Sequence, residues 1–258
     1  MILFTIKKWF FDFWDNFFTI ALINIGYLIV LGLPLYFALP MVETYPLVGL
    51  LLTLSGFLIA GLYTGGVHNF TYRIANYDKP EFRDFIPGVK KHWKISLAIS
   101  AAHGIIGVLL IFITPFYLGL SGLLGLAALV FLFWMSVLWI LASQYLFPVS
   151  FQLDTSLKKI FKKSFILFFD NGMFTLFQLI MSGIILVLST FTAFLLLGPG
   201  SISLFRQVSL KLRLYKYDFL EENPSDKKQQ IPWRVLLMDD EERVGTRTLK
   251  GMIFPWKD

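Results

Sequence analysis

The chain contains no cysteine, which excludes structural disulfides, thiolate metal sites and cysteine nucleophiles. Three histidines leave little for a histidine-rich metal site, so neither a metal nor a cofactor is expected. Charge is also scarce. Asp, Glu, Lys and Arg make up 16% of the 258 residues, against roughly 25% in soluble domains, while 56% are apolar and 17% aromatic. With a mean hydropathy of +0.68, such a composition belongs in a lipid bilayer. Catalytic patterns are missing too. There is no phosphate-cradling lysine loop, no His-Glu-x-x-His and no meaningful Ser, His and Asp set, so no enzyme is expected.

What is present is a series of apolar runs. Crossing about 30 Å of hydrocarbon takes about 20 helical residues. Runs 17–39, 46–70, 95–118 and 119–152 meet that length, and they are apolar on every side, unlike the alternating wall of a barrel. Asp12, Asp15, Lys7 and Lys8 flank the first run with no small-residue cleavage pattern after it, so it is expected to stay as an anchor.

The stretch 173–208 is ambiguous: at 1.5 Å per residue it rises about 54 Å, too long for one crossing and slightly short for two. Lys and Arg placement decides between them. Two fall in segment 1–16, six in 71–94, four in 153–172 and eleven from Arg206 onward, together all 23. The connections 40–46 and 115–120 have none. A double crossing, 173–188 and then 191–208 kinked at Gly198-Pro199-Gly200, keeps every cation on the cytoplasmic side, as the positive-inside rule prefers. A turn at that Gly-Pro-Gly instead pulls Arg206 into the bilayer at a cost of about 3 kcal/mol. The expected architecture is therefore an all-α polytopic bundle of six transmembrane helices, alternatively five, arranged as successive hairpins with interfacial amphipathic helices. Its expected divisions are an amphipathic helix over 1–16, a bundle over 17–217 and a cytoplasmic tail over 218–258.

An internal repeat agrees with the hairpins. Residues 7–16 (KKWFFDFWDN) and 162–171 (KKSFILFFDN) are identical at six of ten positions, and each copy leads into an apolar helix. A weaker third copy begins at Lys90-Lys91-His92-Trp93. Helical spacing puts Lys8, Asp12 and Asp15 opposite Trp9, Phe10, Phe13 and Trp14, which describes a helix lying in the membrane interface. Lys158, Lys159, Lys162 and Lys163 likewise share a face, suited to an anionic leaflet or to a docked partner. Pro87-Gly88 is expected to end a short helix ahead of the third span. The positive-inside bias already accounts for the net charge of +6, so nucleic acid is not an expected partner.

Intramembrane polar residues are few, and each needs a partner or a purpose. Asn24, His103 and Gln178 start at comparable depths in the three outward-going spans, a candidate cluster that either glues the bundle or lines a solute path. In the tail, Trp233, Phe254 and Trp256 are too bulky for a solvated segment, so it folds back on the cytoplasmic loops or docks on another protein.

Asn24 followed by Leu33-Pro34, Asp84-Phe85 ahead of Lys90, Lys91 and Lys94, and Tyr145-Leu146-Phe147-Pro148 before the amphipathic stretch 157–165 resemble the YesL-like family of bacterial polytopic membrane proteins. The resemblance covers roughly residues 9–217, leaving the tail beyond Asn223 outside it. It implies a bacterial inner-membrane location and association with carbohydrate-uptake and glycan-utilisation gene clusters, but no established activity and no functional residues to transfer. Two functions are compatible with these readings. One is a non-catalytic accessory protein that contacts lipids and docks on a partner such as a sugar ABC importer, or on itself. The other is a carrier or channel with a path between the first, third and fifth spans. Chymotrypsin added outside intact cells is expected to leave Trp256 untouched; cleavage there would remove the even-crossing topology.

Overall fold

The structure is a computed structural model and describes residues 1–120, 122–223 and 230–247. Its described residues form helices and no strands: α1 (Ile2–Asp15), α2 (Phe17–Thr44), α3 (Pro46–Ala75), a 3-10 turn (Phe82–Asp84), α4 (Phe85–Gly119), α5 (Leu123–Ser143), α6 (Leu146–Gln152), α7 (Leu157–Asp170), α8 (Gly172–Phe191), α9 (Pro199–Glu222), α10 (Trp233–Leu236) and α11 (Met238–Val244). Five stretches are long and apolar enough to cross a bilayer: Phe17–Thr44, Pro46–Ala75, Phe82–Gly119, Leu123–Gln152 and Gly172–Phe191. Residues such as Phe112, Leu124, Phe131 and Ile180 on these helices stand exposed, an arrangement suited to lipid rather than water. The all-α membrane bundle is thus observed.

Each repeat copy forms a 14-residue amphipathic helix, α1 or α7. Both stop at an Asp-Asn pair whose Asn leaves helical geometry, Asn16 at φ −117° and Asn171 at φ −131°, before an apolar helix begins. The third copy does not behave this way. Residues 85–94 run without a break into α4, and Pro87-Gly88 does not end a helix. Pro87 sits in the first turn, where the missing N–H had no intrahelical acceptor in any case.

The predicted sixth span is corrected. Residues 192–198 form turns, and Pro199 occupies the first turn of α9 instead of a kink within a longer helix. Asn24 of α2 secures this connection: its Nδ2 donates to the Leu195 and Leu196 carbonyls at 3.3 and 3.0 Å, and its Oδ1 accepts from the Gly200 N–H at 2.9 Å. Gly200 and Gly198 permit that approach, since a Cβ on either would meet the Asn24 side chain. Ala193 (φ 48°) and Phe194 (φ 60°) hold left-handed conformations here, each costing about 1 kcal/mol or more. From Asn24 to Thr44, α2 continues for about 30 Å at 1.5 Å per residue, so the α8–α9 hairpin turns back well short of the α2 and α3 far ends. Irregular backbone is tolerated at membrane depth when protein groups satisfy it, as Asn24 does.

α9 is consequently no lipid-facing span. It is enclosed by α1, α2, α3, α6 and α8, burying Ser201, Ser203, Gln207 and Ser209 along with Leu204, Phe205 and Val208. Close approach of α3 to α4 uses Gly61 and Gly65, where a Cβ would overlap the hydroxyls of Ser100 and Ser96. Asn24→Ala removes three hydrogen bonds to a strained turn and should lower stability by about 2–3 kcal/mol, read as a lower unfolding midpoint in detergent. Asn223→Ala, which removes one exposed hydrogen bond at the end of α9, should change it little.

Candidate functional site

The turn held by Asn24 places Arg206 two helical turns into α9, inside the bundle. It lines a cavity of about 380 Å³ together with Tyr27 of α2, Thr64 and His68 of α3, Ser100 and His103 of α4, and Ser203 of α9. That volume lies within the range of small-ligand sites. Tyr27 donates to the Thr64 hydroxyl at 3.2 Å, and Gln207 bonds the His68 ring at Nδ1 (3.2 Å). Among the described residues no carboxylate lies within 4.0 Å of the Arg206 guanidinium, and its Nε is buried without a hydrogen-bond partner. A buried cation without a counter-ion is costly. The hydroxyls and imidazoles around the cavity, together with the N-terminal end of α9, offer a polar, cation-bearing wall to an anionic group.

The predicted Asn24, His103 and Gln178 cluster is not assembled. Asn24 is fully buried and committed to the α8–α9 turn. His103 reaches the cavity, with its Nδ1 at 2.8 Å from the Ile99 carbonyl and its ring against Trp139. Gln178 is fully buried in α8, and neither amide atom has a partner. Equal depth in three spans did not make them neighbours, because the enclosed α9 occupies the inner part of the bundle. Arg206 escaped the sequence reading because the positive-inside count assigned it to the tail. The available signal was the Gly-Pro-Gly turn alternative that strands it in the membrane.

A second cluster gathers at the charged pole. Asp240 of α11 is buried, accepting from Tyr77 and Tyr215 (2.5 and 2.7 Å) and pairing with Lys211 at 3.2 Å and Lys8 at 3.9 Å. Lys8 also pairs with Asp12 at 2.8 Å, so these two residues of the α1 polar stripe are buried, while Asp15 stays exposed. Burial pushes the Lys8 pKa down and that of Asp12 up to about 6. Burial also works against ionised Asp240, but hydrogen bonds from the two tyrosines and the nearby lysines outweigh it and hold its pKa below the ordinary value.

For residues 230–247, then, the tail folds back. Trp233 is half-buried beside Arg213, Leu237 and Val244 are buried, and Arg247 pairs with Asp15 at 2.9 Å. α9 runs across the 217–218 boundary, and α1 packs against both the bundle and α11. Of the candidate docking residues, Phe254 and Trp256 lie outside the described residues. Lys158, Lys159 and Lys162 of α7 are exposed, and Lys159 and Lys163 pair loosely with Asp154 at 3.5 and 3.4 Å.

Comparison with known proteins returned no matching family model, no matching curated protein and no matching solved structure.

Asp240→Asn takes the carboxylate from half-buried Lys211 and leaves buried Lys8 with Asp12 alone, and should cost about 3 kcal/mol, seen as faster tryptic cleavage after Arg243 and Arg247. Asp15→Asn, at an exposed pair, should cost less than about 1 kcal/mol. Asp240 has a depressed folded-state pKa. Its contribution is therefore complete above the ordinary carboxylate value of about 4 and is lost as pH falls through the lower folded value, which Trp233 fluorescence should report.

Proposed function

We propose that the chain is a non-catalytic integral membrane protein that binds a small anionic solute, a carboxylate or phosphate, in the Arg206 cavity and acts as its carrier. The observation behind this reading is a half-buried guanidinium, its Nε fully enclosed and without a partner and no carboxylate beside it among the described residues, facing a ligand-sized, mostly apolar space that also presents hydroxyls and imidazoles. The path differs from the sequence expectation: it lies among α2, α3, α4, α6 and α9 instead of between the first, third and fifth spans.

Among the described residues, the pole holding α1, α9's C-terminal end and α11 carries nearly all the charge, and positive-inside bias makes it the cytoplasmic one in this proposal. A bacterial inner-membrane location rests on the family resemblance. A second reading, an accessory subunit docked on a carbohydrate importer, keeps one specific support. The outward lysine face of α7 is not consumed by the fold, whereas Trp233 is. Cross-linking from Lys158 or Lys162 in native membranes that captures no membrane protein would argue against that role.

Gluconate and glucose 6-phosphate test the carrier reading. At least one should raise the unfolding midpoint of the protein in nanodiscs, and Arg206→Gln should abolish that shift. Without any anion, Arg206→Gln should be neutral or stabilising, since it removes a half-buried charge that no carboxylate offsets among the described residues. A loss of about 3 kcal/mol or more in the unliganded variant would make Arg206 a structural residue and end the proposal.

A further inference from the structure

Below the Arg206 cavity, toward the charged pole, lies a second space of about 500 Å³, reached by Asn69, Tyr72, Lys91, His92, Phe151 and Gln152 among others. The two cavities are stacked on the same three helices. Thr64 and His68 of α3 face the first, and Asn69 and Tyr72 face the second. On α4, Ser100 and His103 face the first, and Lys91 and His92 the second. On α6, Phe147 faces the first and Phe151, one turn later, the second.

Aromatic rings pack between residues of the two walls. The His68 ring stacks on Phe147 at 4.6 Å with a 2° interplanar angle and lies 6.4 Å from Phe151, whose other side meets His92 at 4.3 Å. Both histidines are more than nine-tenths buried, and His92 Nδ1 has no hydrogen-bond partner. A polar thread passes beside the rings. Gln152, on the wall of the second space, donates to Gln207 Oε1 at 2.6 Å, and Gln207 reaches His68 Nδ1 at 3.2 Å.

We propose that the two spaces are one passage, shut in this conformation by the Phe147 and Phe151 rings packed between His68 and His92, through which the anion held at Arg206 leaves toward Lys91. This rests on the carrier reading above. Arg206 in the first space and exposed Lys91 on the wall of the second put a cation on each side of the plug, and Asp154, the carboxylate on the second wall, is paired with Lys159 and Lys163. An apolar constriction between the spaces blocks an anion by excluding water. Both plug rings ride on α6, a seven-residue helix separated from α5 at Gln144-Tyr145, so one rotation of a short element moves them together. The ring layer is buried by packing that a helix bundle needs anyway, but packing alone does not require polar cavities above and below it, nor a hydrogen-bonded thread between them.

The cysteine-free chain makes the test clean. Ser100→Cys places a single thiol in the Arg206 cavity, and a membrane-impermeant sulfonate thiosulfonate reagent is added to vesicles from the charged-pole side. Labelling should be slow in the otherwise wild-type chain and at least tenfold faster with Phe151→Ala, or with Phe151→Leu should the alanine variant not remain monodisperse. Arg206→Gln should slow the anionic reagent in the opened variant without slowing a trimethylammonium analogue. Equal labelling with the plug intact or removed overturns the passage. If the gluconate or glucose 6-phosphate shift persists in that case, the binding site stands and only the passage falls; if the shift is also absent, the carrier reading falls with it.

Discussion

The arrangement of this bundle depends on one side chain satisfying backbone where water cannot. Asn24 spends both halves of its amide on the α8–α9 connection, supplying a donor to two carbonyls and an acceptor to the Gly200 N–H. In hydrocarbon, such groups left alone each cost several kcal/mol. Once they are satisfied, the chain reverses beside α2 well short of that helix's far end, α9 becomes an enclosed helix rich in serine and glutamine, and Arg206 is carried into the interior. The cavity, its cation and its closeness to His68 all follow from that reversal.

Polar groups inside the bundle are handled in two ways. Those with a structural task are fully paired, as with Asn24, Tyr27 on Thr64, and Tyr145 against Thr175. Others are buried without partners: Arg206 Nε and His92 Nδ1 border open space, whereas Ser164, Ser182, Ser201 and Ser209 line neither cavity. Gln178 is also unpartnered, and the structure offers no physical account of it. At the charged pole the opposite economy holds: Asp240 collects two tyrosines and two lysines from α1, α9 and the loop after α3, so tail, arm and bundle are joined through one carboxylate. Tyr77 reaches it from a left-handed residue, φ 65°, whose strain is borne by those contacts.

Much of the outline was legible because hydropathy and charge act residue by residue. The runs 17–39 and 46–70 became α2 and α3 with only their second ends extended, whereas the third helix began at Phe85 and the fourth run divided into α5 and α6; the Asp-Asn ends of the two repeat copies mark the same break in α1 and α7. The tail's bulky residues signalled burial, and Trp233, Leu237 and Val244 are indeed covered or half-covered. The third repeat copy misled because lysine and tryptophan recur there without the Asp-Asn stop that ends the other two helices.

Membrane residence, the helical class and the gathering of cations into a few connections were determined by the sequence alone, since lipid rejects charge and unpaired backbone wherever they occur in a chain. Where the last hairpin turns, and therefore which polar residues meet, was decided only by tertiary structure. The partner that satisfies the turn lies more than 170 residues away in sequence, and no local count of apolar or charged residues registers a hydrogen bond across that distance.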